Sequence, residues 1–132
     1  MPAIKNAALS VTTDRPQNRA TVVVSADIEF TDVEVNAMDV LGLRYSLECR
    51  VLNKHLIDDD PMLTFHAHSY PRELYGARRY EQALFETTVD MDSLHERVLG
   101  KDNLVAELRL KNQETGTEDV ARTDEIAVDL AA

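Results

Sequence analysis

Six apolar side chains recur at every second position from Ala20 to Phe30: Ala20, Val22, Val24, Ala26, Ile28 and Phe30. Thr21, Val23, Ser25, Asp27 and Glu29 stand between them, all but one polar. A period of two places one set on each face of an extended strand. A strand wet on one face must bury the other against a second layer, so the pattern points to packed sheets.

Further alternation follows along the chain. Leu9, Val11 and Thr13 mark a first strand near residues 4–14, and the Ala20–Phe30 run is the second. Val33 and Val35 are read as its continuation past a bulge at Thr31-Asp32, where the apolar parity flips. Leu43, Tyr45, Leu47, Cys49 and Val51 make a third strand, and Leu63, Phe65 and Ala67 a fourth. Phe85–Met91, Leu104–Leu110 and Ile126–Leu130 complete a set of seven. Pro16, Gly42, Pro61, Pro71, Gly76, Gly100 and Gly116 fall between these segments, as chain breakers should. Asn112–Thr117 reads as an open hairpin loop between the last two strands.

Two short helical turns fit between strands. Ser93 and Glu96 have capping-box spacing, and Gly100 suits a left-handed end to a helix over 94–99. Pro71 suits the first position of a second helix reaching Gln82, weakened at Gly76. The expected fold is all-β: one domain over residues 1–132, a seven-stranded antiparallel β-sandwich with one or two helical turns.

Alternating strands of this number and spacing resemble the immunoglobulin and fibronectin type III sandwiches. Immunoglobulin domains carry Asp, a small residue, Tyr and Cys at alternate positions entering the sixth strand. Here Asp102 is followed by Leu104, Ala106 and Leu108. The resemblance is one of fold, and a fold carries no activity with it.

The net charge is −10, from 24 acidic and 14 basic residues. Binding to nucleic acid or an anionic membrane depends on Lys and Arg, so neither is an expected partner. Cys49 is the single cysteine and falls on the apolar parity of its strand, as an inert buried thiol would. Met1–Lys5 lacks the apolar run of a signal peptide, and no stretch approaches the ~20 apolar residues of a membrane helix. The compartment stays open between the cytoplasm and a secreted or viral assembly.

Three groups of residues carry candidate chemistry. Tyr70, Tyr75 and Tyr80 are interleaved with Arg72, Arg78 and Arg79, a net-positive window on a negative chain. Tyr and Arg combine contact area with directional hydrogen bonds, so this window is the candidate partner-binding surface, toward another protein or a second copy. His66, His68 and Glu73 form H-x-H-x4-E, which resembles the first metal motif of cupin enzymes. Asp60 and Tyr80 stand where that pattern has glycines, and its second motif is absent, so the metal reading is the alternative; His55 or His95 would be an added ligand. Asp58-Asp59-Asp60-Pro61 reads as an acidic loop with a calcium-binding alternative, as in extracellular adhesion modules. The expected function is a non-catalytic interaction or structural module without a cofactor.

Overall fold

In the computed structural model, residues 2–54, 59–72, 76–95 and 100–130 are described. Among them the strands are β1 (Ala3–Asp14), β2 (Arg19–Glu29), β3 (Tyr45–Lys54), β4 (Asp59–Thr64), β5 (His68–Tyr70), β6 (Tyr80–Asp90), β7 (Asp102–Asn112), β8 (Glu118–Arg122) and β9 (Ile126–Val128). One helix, α1, spans Asp32–Leu41. One sheet has the order β1-β2-β6 and the other β4-β3-β7-β8, with β5 also paired to β3 and β9 to β7. All pairings are antiparallel.

The period-two pattern is realised as burial. Ala20, Val22, Val24, Ala26, Ile28 and Phe30 are all buried, and so are Tyr45, Leu47, Cys49 and Val51. They share one core with Ala83 and Phe85 of β6 and Leu104, Ala106, Leu108 and Leu110 of β7. The inner faces of the two sheets thus cover each other. Each large side chain removed from water in this way contributes about 2 kcal/mol before entropy is counted.

Among the described residues the seven expected strands are nine. The fourth is split: β4 pairs the far half of β3 (Arg50–Lys54) and β5 the near half (Tyr45–Leu47), with Phe65, His66 and Ala67 outside either strand. The expected last strand is β9, and the loop after Asn112 leads first into β8, an additional strand that the sequence reading missed. β8 is an edge strand with only Val120 and Ala121 apolar, too short for alternation to show. Thr123 separates β8 from β9; its hydroxyl accepts from the Ala106 amide at 2.9 Å, closing the ladder across the gap.

Thr31–Leu41 corrects the strand extension. Thr31 caps α1 in a capping box: its hydroxyl accepts from the Glu34 amide at 3.2 Å, and the Glu34 carboxylate accepts from the Thr31 amide at 2.8 Å. Gly42 ends the helix at φ 72°, a conformation that favours glycine. The expected helix from Pro71 to Gln82 does not form over its described residues, which hold an Arg72–Gly76 bridge and the start of β6. The other expected turn, over 94–99, lies mostly outside the described residues; a 3-10 turn stands at Met91–Ser93, where the Ser93 hydroxyl donates to the Asp90 carbonyl at 2.7 Å.

The helix closes one end of the sandwich. Met38 is buried beneath it, and Phe30 packs on Tyr45 and Tyr70 with ring centroids 5.1 and 5.8 Å away. The Tyr45 hydroxyl donates to Glu34 at 3.2 Å, and burial beside that carboxylate pushes its pKa up to about 12. Replacing Thr31 with Ala removes the cap and is expected to lower stability by about 1 kcal/mol in chemical denaturation, with an unchanged denaturant slope. An unchanged midpoint would show that tertiary packing alone holds α1.

Candidate functional site

The Tyr–Arg window divides into a buried and an exposed half. Tyr70 is fully buried, because β5 pairs Tyr70 with Tyr45 and turns both rings inward onto Phe30. It is a core residue and cannot anchor a partner. Its hydroxyl has no hydrogen-bond partner among the described residues, with the Arg72 guanidinium 5.4 Å from the ring centroid. Tyr75 lies outside the described residues.

Arg78, Arg79 and Tyr80 form an exposed corner where the chain enters β6. The Arg79 carbonyl accepts from the Phe30 amide at 2.7 Å, which pins the corner to the end of β2. The Arg79 guanidinium lies 5.5 Å from the Tyr80 ring centroid and 3.7 Å from the Asp32 carboxylate of α1. Beside the corner is an open depression of about 680 Å³, walled by Lys5, Asp27, Glu29, Arg78 and Tyr80.

An apolar surface that the sequence reading missed adjoins this corner. Val33, Val40 and Leu41 of α1 are 78%, 70% and 78% exposed. They sit at i, i+7 and i+8, one stripe of a helix. Asp32 and Asp39 tie that stripe to the corner, the first through Arg79 and the second by accepting from the Ala77 amide at 3.0 Å. Thr31-x-x-Glu34 was the signal that could have revealed it, since it has the spacing recognised at Ser93 and Glu96.

The two histidines are not paired on a strand face. His66 is exposed on the connection between β4 and β5. His68 is half-buried, stacked on Phe85 at 4.0 Å, with Nδ1 3.2 Å from the Arg72 guanidinium. Burial and then the Arg72 charge lower its pKa, disfavouring the protonated ring. A permanent cation against one ring nitrogen opposes a metal there. Glu73 and His55 lie outside the described residues, and among those described no three His, Cys, Asp or Glu side chains converge as ligands. Asp58 is likewise outside, and Asp59 and Asp60 begin β4, paired with Lys54 and Asn53, where an acidic loop was expected.

His95 has a different partner: its Nδ1 is 2.7 Å from the buried Asp102 carboxylate. The other Asp102 oxygen accepts from Asn53 Nδ2 at 2.9 Å, which also donates to the Leu94 carbonyl at 3.0 Å. The group stitches β3 and β7 to the segment after β6. Cys49 is buried, and burial pushes its thiol up to about 12, so the thiolate that a nucleophile needs is suppressed.

A dense charge cluster lies on the outer face of the larger sheet. The Glu107 carboxylate, only 5% exposed, accepts from Arg50 at 3.0 Å, Arg109 at 3.2 Å and Arg122 at 2.9 Å. The cross-strand pairs Arg50–Glu107 and Glu107–Arg122 put these groups on neighbouring strands.

No family model matches the chain, and no curated protein matches it. Solved structures are similar at a low level. An ApaA protein from Bordetella pertussis shares 6% identity at a TM-score of 0.44, covering 97% of this chain and 92% of that one. A structural genomics target shares 7% at 0.42, covering 96% and 84%. The β-glucosidase 3B of Thermotoga neapolitana, solved with glycerol, shares 12% at 0.40 over 97% of this chain and 16% of the enzyme.

Burial raises the Glu107 pKa, but the hydrogen bonds from Arg122, Arg109 and Arg50 outweigh it and leave the value below 4.5. A depressed carboxylate stabilises the fold fully above its unfolded value and loses that contribution as pH falls through the folded one. Glu107→Gln is therefore expected to cost about 2 kcal/mol at neutral pH, discounted for the partly exposed arginines, and to make melting less sensitive to acid below about pH 4.5. Parallel acid profiles for variant and wild type would contradict this.

Proposed function

We propose that this chain is a non-catalytic protein-interaction module on an immunoglobulin or fibronectin type III-like sandwich. Its contact surface is the α1 stripe of Val33, Val40 and Leu41 together with the Arg78–Tyr80 corner. The strand order supports the fold reading. Counting β4 with β5, and β8 with β9, as interrupted edge rows gives rows 1-2-5 in one sheet and 4-3-6-7 in the other. A constant-type immunoglobulin domain has rows 1-2-5-4 and 3-6-7, so only the fourth row has changed sheets.

The exposed apolar side chains on one side of α1 carry the functional reading. Single exposed apolar side chains are ordinary on a protein surface, but a helical stripe of them beside Arg and Tyr has the composition of a contact surface. The partner this surface fits is a protein with an apolar centre and carboxylates facing Arg78 and Arg79. A photo-crosslinking side chain at position 40 is expected to give an adduct of discrete mass in cells, lost on replacing Arg78 and Arg79 with Ala. The same group at position 10, exposed on β1, is expected to give none. Equal labelling at the two positions, or an adduct indifferent to the arginine replacements, would refute the assignment.

A further inference from the structure

Among the described residues, every strand edge except one is short, interrupted or holds a proline. β1 is interrupted between Lys5 and Ala8, with Asn6 at φ 54°, and the Asp119 carboxylate accepts from its Ile4 amide at 3.0 Å. β4 holds Pro61, which has no amide hydrogen to offer. β5, β8 and β9 are 3, 5 and 3 residues long. β6 is different. Its 11 residues pair with β2 without a break from Arg19–Asp90 to Glu29–Tyr80, and it contains no Pro, Gly or Lys. Among the described residues its far edge pairs with nothing. An open groove of about 380 Å³ runs beside it, lined by Leu63, Phe65, His66, Leu84, Phe85 and Thr87. A long edge without a break, a proline or a glycine is a template for another strand, and its charges, Glu81, Glu86 and Asp90, decide which strand it accepts.

The side chains of β6 suit a second β6. Its outward residues are Tyr80, Gln82, Leu84, Glu86, Thr88 and Asp90, and Leu84 is 56% exposed. Antiparallel self-pairing keeps outward residues opposite outward ones, and a two-fold axis at Leu84 sets Leu84 against Leu84, Gln82 against Glu86 and Tyr80 against Thr88. The inward pairs are Ala83 with Phe85 and Glu81 with Thr87. No like charges face each other in this register. An axis at Glu86 opposes two carboxylates, and one at Phe85 sets Leu84 against Glu86. The Leu84 register alone buries the exposed apolar side chain against its own copy, and cross-strand pairs of that kind fix register.

We propose that β6 is a docking edge for a second copy of this chain, joined antiparallel about a two-fold axis at Leu84 so that the two smaller sheets become one. The arrangement is isologous and closes at a dimer. It stands on β6 alone and shares only Tyr80 with the α1 surface, so either can fail without the other.

Sedimentation of the full chain tests it. The wild type is expected to form a concentration-dependent dimer, which replacing Arg78 and Arg79 with Ala leaves intact. Leu84→Lys and Leu84→Glu are each expected to be monomeric, since both place like charges directly opposite. An equimolar mixture of the two variants is expected to dimerise again, because the introduced ammonium of one copy then faces the introduced carboxylate of the other; that recovery also shows that both variants are folded. A monomeric wild type, a dimer that survives Leu84→Lys, or a mixture that stays monomeric would overturn the proposal.

Discussion

Alternate side chains of β2 are packed between two sheets, and the other contacts are arranged around that fact. Ala20, Val22, Val24, Ala26, Ile28 and Phe30 leave almost no surface in water. β2 is hydrogen-bonded on both edges, to β1 and β6, so it lies at the centre of its sheet. A one-residue slip would turn Thr21, Ser25, Asp27 and Glu29 inward. The cost of burying those groups fixes the register of β1 and β6 and presents a single apolar face to β3 and β7.

The ends of this sandwich are finished differently. At one end Phe30, Tyr45 and Tyr70 fill the space between the sheets, and α1 lies over them through Met38 and the Tyr45–Glu34 hydrogen bond. The helix is apolar on two sides, with Met38 turned inward and Val33, Val40 and Leu41 turned out. At the other end polar groups do the joining: Asp102 holds Asn53 and His95 while fully buried itself. A buried carboxylate on β7 with partners on two other segments favours one arrangement of the three, since losing either partner leaves a buried polar group uncompensated.

What the chain declares in advance depends on how local the signal is. β2, β3 and β7 announce themselves because each lies inside a sheet and its apolar residues alternate along its length. β8 does not, because an edge strand with Asp119 and Arg122 half in water has little alternation to show. α1 was hidden by Val33 and Val35, whose spacing of two mimics a strand, although Thr31, Glu34 and Gly42 mark both helix ends. The candidate surface was half legible. Arg78, Arg79 and Tyr80 are exposed as their types suggest, whereas the fate of Tyr70 was set by its pairing with Tyr45, 25 residues earlier, which no local pattern encodes. The convergence of Arg50, Arg109 and Arg122 on Glu107 was equally invisible, since it depends on strand register.

The central claim is that the two-residue spacing builds two facing sheets with β2, β3 and β7 as their inner strands. Native-state hydrogen exchange resolved by residue addresses it directly. Amides in the middle of β2, β3 and β7 are expected to exchange slowest and together, at the free energy of global unfolding, with β8 and β9 opening well below it. Exchange in β2 as fast as in β8, or β2 protected independently of β3 and β7, would contradict the account.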